Sequence, residues 1–98
     1  MSTWTLAPPF LSDGGKAWVC SLPPLLHSKT DNTEAAFQSK LRLLENGEEL
    51  GPGHARHQVI RNQGGGYYSI WRDRTYFSTS DGSDPNVNGR TYTLTSVD

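Results

Sequence analysis

Apolar and polar residues alternate along much of this chain with a period of two, and the alternating runs are short. The clearest lies around residue 42, where Leu41 and Leu43 alternate with Lys40 and Arg42, so that one face is buried and the other wet. Asn46-Gly47 then supplies the two residues at positive φ that a type I′ hairpin turn requires. Residues 48–50 return before Gly51-Pro52 breaks the pattern. Residues 3–7 and 16–22 are β-prone runs, separated by the turn formers of "PPFLSDGG". Residues 67–80 read as a second hairpin about an Arg72-Asp73 turn. Tyr68 and Ile70 share one face there, and Tyr67, Ser69 and Trp71 the other. Near the end, Tyr92 and Leu94 alternate with threonines as a final strand.

Helical signals are few. Residues 54–62 predict one or two turns with Val59 and Ile60 facing inward, stopped by "NQGGG". Residues 33–40 hold room for a further turn, capped by Asp31, Asn32 or Thr33. Roughly six to eight short strands and one short helix predict an all-β fold, a small antiparallel β-sandwich or open barrel, with residues 1–98 forming a single domain.

Composition agrees with that architecture. Hydrophobic residues make up only 34% of the 98, while ten glycines and six prolines supply turns and ten aromatic rings supply bulk. The net charge is −1 and no Lys/Arg cluster appears, which argues against nucleic acid as a partner. Cys20 is the only cysteine, so no intramolecular disulfide forms and no cysteine-rich zinc site exists. Within "KAWVCSL" it reads as a buried, inert thiol. No apolar run approaches the ~20 residues of a membrane span, and residues 1–11 lack the basic and apolar regions of a signal peptide. A cytoplasmic protein is the expectation.

Three constellations invite a chemical reading. Asp84, Asn86 and Asn88 followed by Gly89 match the opening of a calcium loop, but Thr95 stands where that loop needs a bidentate carboxylate. Asp81, Asp84, Asn86 and Asn88 could still ligate calcium outside an EF-hand. The favoured reading is a turn, with Asn88-Gly89 a further hairpin signal. His54 and His57, spaced i and i+3 with His27 remote in sequence, could share a helical face and hold zinc or a base. Without a third ligand they are read as polar braces of the short helix. Tyr67, Tyr68, Trp71, Tyr76, Phe77 and Tyr92 gather in one sheet region. Period-two strands turn about half of such rings into the core and leave others to stack on a sugar. No catalytic residue, metal or cofactor is assigned.

Four segments within residues 41–94 carry a resemblance: "L-x-L-x-E-N-G…L-G-P-x-H", "H-x-x-I-R", "G-G-G-x-Y-S-x-W" and "F-S-T-S-D-x-S-D-P-x-x-N-G-R-x-Y", the last ending at Tyr92. They resemble a small β-rich accessory domain of bacterial proteins of cell-surface polysaccharide metabolism, found beside glycosyltransferase, methyltransferase or sulfotransferase-like domains. Ile70 departs from the pattern, standing where the resemblance implies a polar residue, often histidine. The resemblance implies a non-catalytic module associated with carbohydrate. It emphasises Glu45, His54, His57, Arg61, Ser69, Trp71, Ser80, Asp81, Asp84, Asn88 and Arg90.

Three functions follow as expectations. In the leading one, the module binds a glycan or positions a sugar-modifying enzyme partner. Trp71 and Tyr68 then stack, and Asp81, Asp84, Asn88, Arg90, His54, His57 and Arg61 supply polar contacts. In the second, the same polar set is an internal brace of a structural or protein-interaction domain, with Arg61 or Arg90 forked onto Asp81 or Asp84. The third is a small hydrolase or metal-dependent enzyme using His54 or His57 with Asp81 or Asp84. A two-fold homodimer covering a sheet edge is also expected.

Overall fold

The computed structural model describes residues 3–22, 24, 26, 30, 31 and 39–96. The expected helical turn over residues 33–38 and His27 lie outside them. Two four-stranded antiparallel sheets form the described architecture. One sheet runs in the order β1 (Thr3–Thr5), β8 (Tyr92–Ser96), β4 (Leu41–Glu45), β5 (Glu48–Glu49). The other runs β2 (Leu11–Ser12), β3 (Trp18–Ser21), β7 (Arg74–Phe77), β6 (Tyr68–Trp71). A single described helix, α1 (His57–Gln63), packs on β6 and β7.

The alternation read from the sequence sets which side chains meet. Leu41, Leu43 and Glu45 on β4 lie opposite Ser96, Leu94 and Tyr92 on β8, and all six are buried. Across the gap, the row Trp18–Phe77–Tyr68 and the row Cys20–Thr75–Ile70 face them from the second sheet. Phe77 and Tyr92, one from each sheet, pack with ring centroids 5.2 Å apart, and Phe10 sets its edge against both at 5.4 and 5.9 Å. Each fully buried aromatic or aliphatic side chain contributes about 1.5–3 kcal/mol, which makes this layer the main source of stability. Tyr68, Phe77 and Tyr92 therefore belong to the core. Trp71 and Tyr76 point to the outer face of their sheet, against the helix. Half the rings turn inward, as a period of two requires.

Turn chemistry also follows the residues. Asn46 and Gly47 adopt φ of 50° and 85°, and Arg72 turns the second hairpin at φ 57°. Gly64 ends α1 at φ 62°, with its N–H on the Ile60 carbonyl. Two expectations need correction. The stretch "PPFLSDGG" holds a strand, because Leu11 and Ser12 pair with Val19 and Trp18 around a tight turn at Gly14 and Gly15. Asn88-Gly89 does not close a hairpin. β7 and β8 lie in different sheets, and residues 78–91 cross between them.

One buried polar atom lies inside the sandwich. The Thr75 hydroxyl is fully buried with no conventional hydrogen bond, and its polar neighbour is the Cys20 thiol, a weak partner. Thr75→Val keeps the shape and removes the desolvated oxygen. Stability is expected to rise by about 1 kcal/mol. Thermal denaturation should show Tm higher by roughly 4–8 °C. A lower Tm would mean that the contact with Cys20 outweighs the burial cost.

Candidate functional site

The edges of the two sheets leave a groove between them. β5 pairs with β4 at Leu44 and Glu45, and Leu50 donates to the Leu43 carbonyl at 2.9 Å. Among the described residues no strand therefore pairs with Leu41 and Arg42 on that side, and β6 is the last strand of the other sheet. The space between holds a cavity of about 390 Å³, with Asp31, Ser39, Lys40, Arg42, His54 and Tyr68 in its walls. Main-chain bonds place Asp31. Its N–H donates to the Ile70 carbonyl at 2.8 Å and its carbonyl accepts from the Arg72 N–H at 2.9 Å, so it runs parallel beside Trp71. The carboxylate is buried. Oδ1 accepts the Ser39 N–H at 2.7 Å, and Oδ2 meets His54 Nδ1 in a short hydrogen bond.

His54 takes that position at φ 55°, a backbone state that costs a histidine free energy unless its surroundings hold it. They do so on both sides. Tyr68 donates its N–H to the Pro52 carbonyl at 3.2 Å, and its own carbonyl accepts from Ala55 at 3.0 Å. Gly53 between them lies close against the Tyr68 ring, and a Cβ there would sit 3.0 Å from the Tyr68 hydroxyl, so any side chain would press the ring aside. Burial pushes the Tyr68 phenol up, against smaller opposing effects of the Leu43 backbone and Arg42, so the groove floor is a neutral hydroxyl at pH 7.

The sequence expectation of paired histidines changes here. His54 precedes the helix and bonds Asp31. His57 begins the helix and stacks on Tyr76 at 3.9 Å, with its edge toward Trp71 at 6.0 Å. The two do not share a helical face. Burial lowers the His57 pKa, with Asp13 opposing and Arg61 assisting, so it stays neutral at pH 7. Arg61 binds Asp13 through Nε to the carbonyl at 2.7 Å and through Nη2 to the carboxylate at 3.1 Å, tying α1 to the β2–β3 turn. Trp71 carries the Arg72 guanidinium 6.0 Å from its ring centre. It pairs with Arg74 beside the turn, whereas residues 78–91 leave the other end of that hairpin, roughly 10 Å along. Trp71 and the polar loop are not brought together.

That loop is bonded internally. Arg90 forks onto Asp81 at 2.8 and 2.9 Å, which with Ser83 holds the Asp81 carboxyl well below the usual carboxylate range. Glu45, buried at the end of β4, accepts from the Tyr92 hydroxyl at 2.7 Å, from the Ser80 hydroxyl and N–H, and faces Arg90 at 3.5 Å. Burial alone would raise its pKa, but these donors lower it. Burial and then Glu45 push Tyr92 up to about 12. Asn88 donates to the Tyr92 hydroxyl at 2.9 Å and to Ser83. Asp84 accepts from the Asn86 N–H and amide, and Asn86 clasps the Phe10 N–H and carbonyl at 2.7 and 2.8 Å. The predicted fork of Arg90 onto Asp81 exists, but it closes the loop on itself instead of reaching the helix, and the link to β4 comes from Arg90 facing Glu45. Among the described residues no group of three or more His, Cys, Asp or Glu side chains could hold a metal ion.

No family model, curated protein or solved structure matches the chain. No helix among the described residues is long and apolar enough to cross a membrane. Burial pushes the Cys20 thiol up to about 11, with Thr75 opposing, so it is not a nucleophile at neutral pH.

The groove thus collects two of the expected ligand-binding residues, Tyr68 and His54, and adds Asp31, Ser39, Lys40 and Arg42. Sequence reasoning placed Asp31 as a helix cap and Lys40 and Arg42 as a wet strand face. Ile70, the departure from the expected pattern, also lines it. What the walls offer is a set of hydrogen-bond donors and cations around a histidine whose orientation is fixed from behind.

Proposed function

We propose that this chain is a non-catalytic binding module whose groove at Asp31 and His54 takes a hydroxyl-rich ligand, a glycan, beside a sugar-modifying enzyme partner. The carrying observation is the buried Asp31 carboxylate bonded to His54 at the wall of an open groove. Burying a carboxylate costs several kcal/mol unless it is paired, and the left-handed backbone of His54 adds about 1–3 kcal/mol. Two unfavourable choices converge on the orientation of one half-exposed ring. That is pre-organisation of a contact surface, since the packed layer of Leu43, Leu94, Phe77 and Tyr92 does not need it. The resemblance of residues 41–94 to carbohydrate-associated modules supports the same reading.

The loop of residues 78–91 supports a different role for its own side chains. Asp81, Asp84, Asn86, Asn88 and Arg90 each bond to other residues of this chain, so we assign them to bracing the crossover between sheets.

A glycan array probed with wild type, His54→Asn and Trp71→Ala tests the groove. Asparagine tolerates positive φ and keeps a donor near the Nδ1 position, so it removes the outer ring without stranding Asp31. Binding is expected to survive Trp71→Ala and to fall at least ten-fold in His54→Asn. Loss in Trp71→Ala alone would move the site to the helix face, and silence across the array would defeat the glycan reading.

A further inference from the structure

Resting on the reading of the groove as a glycan site, we infer that the sugar it takes is acidic, a pyranose bearing a carboxylate or sulfate ester held by Lys40 and Arg42. The charged residues in the described walls are Asp31, Lys40, Arg42 and His54. Asp31 is only 1% exposed, and both its oxygens have partners inside the protein, one on the Ser39 N–H and one on His54. It shapes the wall without presenting an open acceptor to a sugar hydroxyl.

The cations are disposed differently. Lys40 is exposed and has no ion-pair partner among the described residues. Arg42 is 54% exposed, and its Nε lies 3.6 Å from Glu49, itself 61% exposed and outside the groove walls. Exposed pairs of that kind contribute about 0–1 kcal/mol, so an incoming anion competes readily for the guanidinium. Residues 40 and 42 are two apart at the start of β4, on one side of the strand and about 7 Å from each other. One carboxylate or sulfate can be gripped by both long side chains, with charge-assisted bonds stronger than a neutral hydroxyl would make. Among the described wall residues, the charge left open to a ligand is positive, on a chain of net charge −1.

Isothermal titration of the whole chain with matched oligosaccharides tests this. The probes are trigalacturonate against its methyl ester, and a sulfated carrageenan oligosaccharide against its desulfated form. The acidic member of at least one pair is expected to bind ten-fold or more tighter than its neutral match, and which pair responds separates carboxylate from sulfate. The preference should vanish in a Lys40→Gln, Arg42→Gln double variant with Tm unchanged, and shrink at about 0.5 M salt. Equal binding of acidic and neutral members overturns the inference while the glycan reading stands. An acid preference that persists in the double variant overturns the assignment to Lys40 and Arg42. Binding of no member defeats the glycan reading itself.

Discussion

Glu45→Ala is expected to destabilise the fold by about 3 kcal/mol, the scale of removing one partner from a buried, hydrogen-bonded charge network. The Tyr92 hydroxyl loses its acceptor 2.7 Å away, and Ser80 loses the anchor that starts the crossing loop. At this chain length each kcal/mol moves Tm by roughly 4–8 °C, so a fall of more than 10 °C is expected. Glu45→Gln keeps the shape and an acceptor for Tyr92, and should lose about half as much. The acid dependence has a definite sign. The folded pKa lies below the ordinary 4.5, so this carboxylate contributes stability above that value and loses it as pH falls through the lower folded value. Asp81, also lowered, acts in the same direction, although its exposure lets salt screen it. Urea unfolding at pH 7 and near pH 3 checks both points. The gap between wild type and Glu45→Gln should narrow in acid. A gap that holds constant with pH would show that the carboxylate's charge is not what binds the loop.

How far such features are legible in the sequence depends on how local their causes are. Asn46-Gly47 turned a hairpin as expected, because positive φ at two successive residues is a property of those residues. The inward face of β4 was legible for the same reason, since a period of two needs no partner to be seen. On β6 and β8 the period divided the residues into two faces, and only the packing decides that Tyr68, Ile70, Tyr92 and Leu94 turn inward. Asn88-Gly89 carries the same local chemistry, yet the strands on either side part into different sheets. The crossover is held by bonds from Asn86 to Phe10, 76 residues away, and from Tyr92 to Glu45, 47 residues away. Nothing local advertises those distances. His54 shows a second limit. Its spacing from His57 suggested a shared helical face, but a left-handed backbone at residue 54 keeps it off the helix. Its true partner, Asp31, lies 23 residues earlier in a stretch that reads as a cap.

That remote pair carries the second large expectation. Asp31→Ala leaves the Ser39 N–H and the His54 ring without their acceptor and opens a void beside β6, and is expected to cost about 3 kcal/mol. The main-chain bonds of residue 31 to Ile70 and Arg72 do not depend on its side chain, so β6 keeps its neighbour and the damage stays near the groove. A double-mutant cycle separates the pair from mere burial. Asp31→Ala and His54→Ala, measured singly and together by urea denaturation, should show a coupling of about 1–3 kcal/mol, because either change alone already breaks the contact. Additive losses would mean that Asp31 acts through Ser39 alone, with His54 held by its backbone. In that case the pre-organised ring loses its support, and with it the argument that the groove was shaped for a ligand. A coupled loss, with array binding absent in Asp31→Ala at a temperature where it stays folded, would tie the buried acid to recognition through the ring it orients.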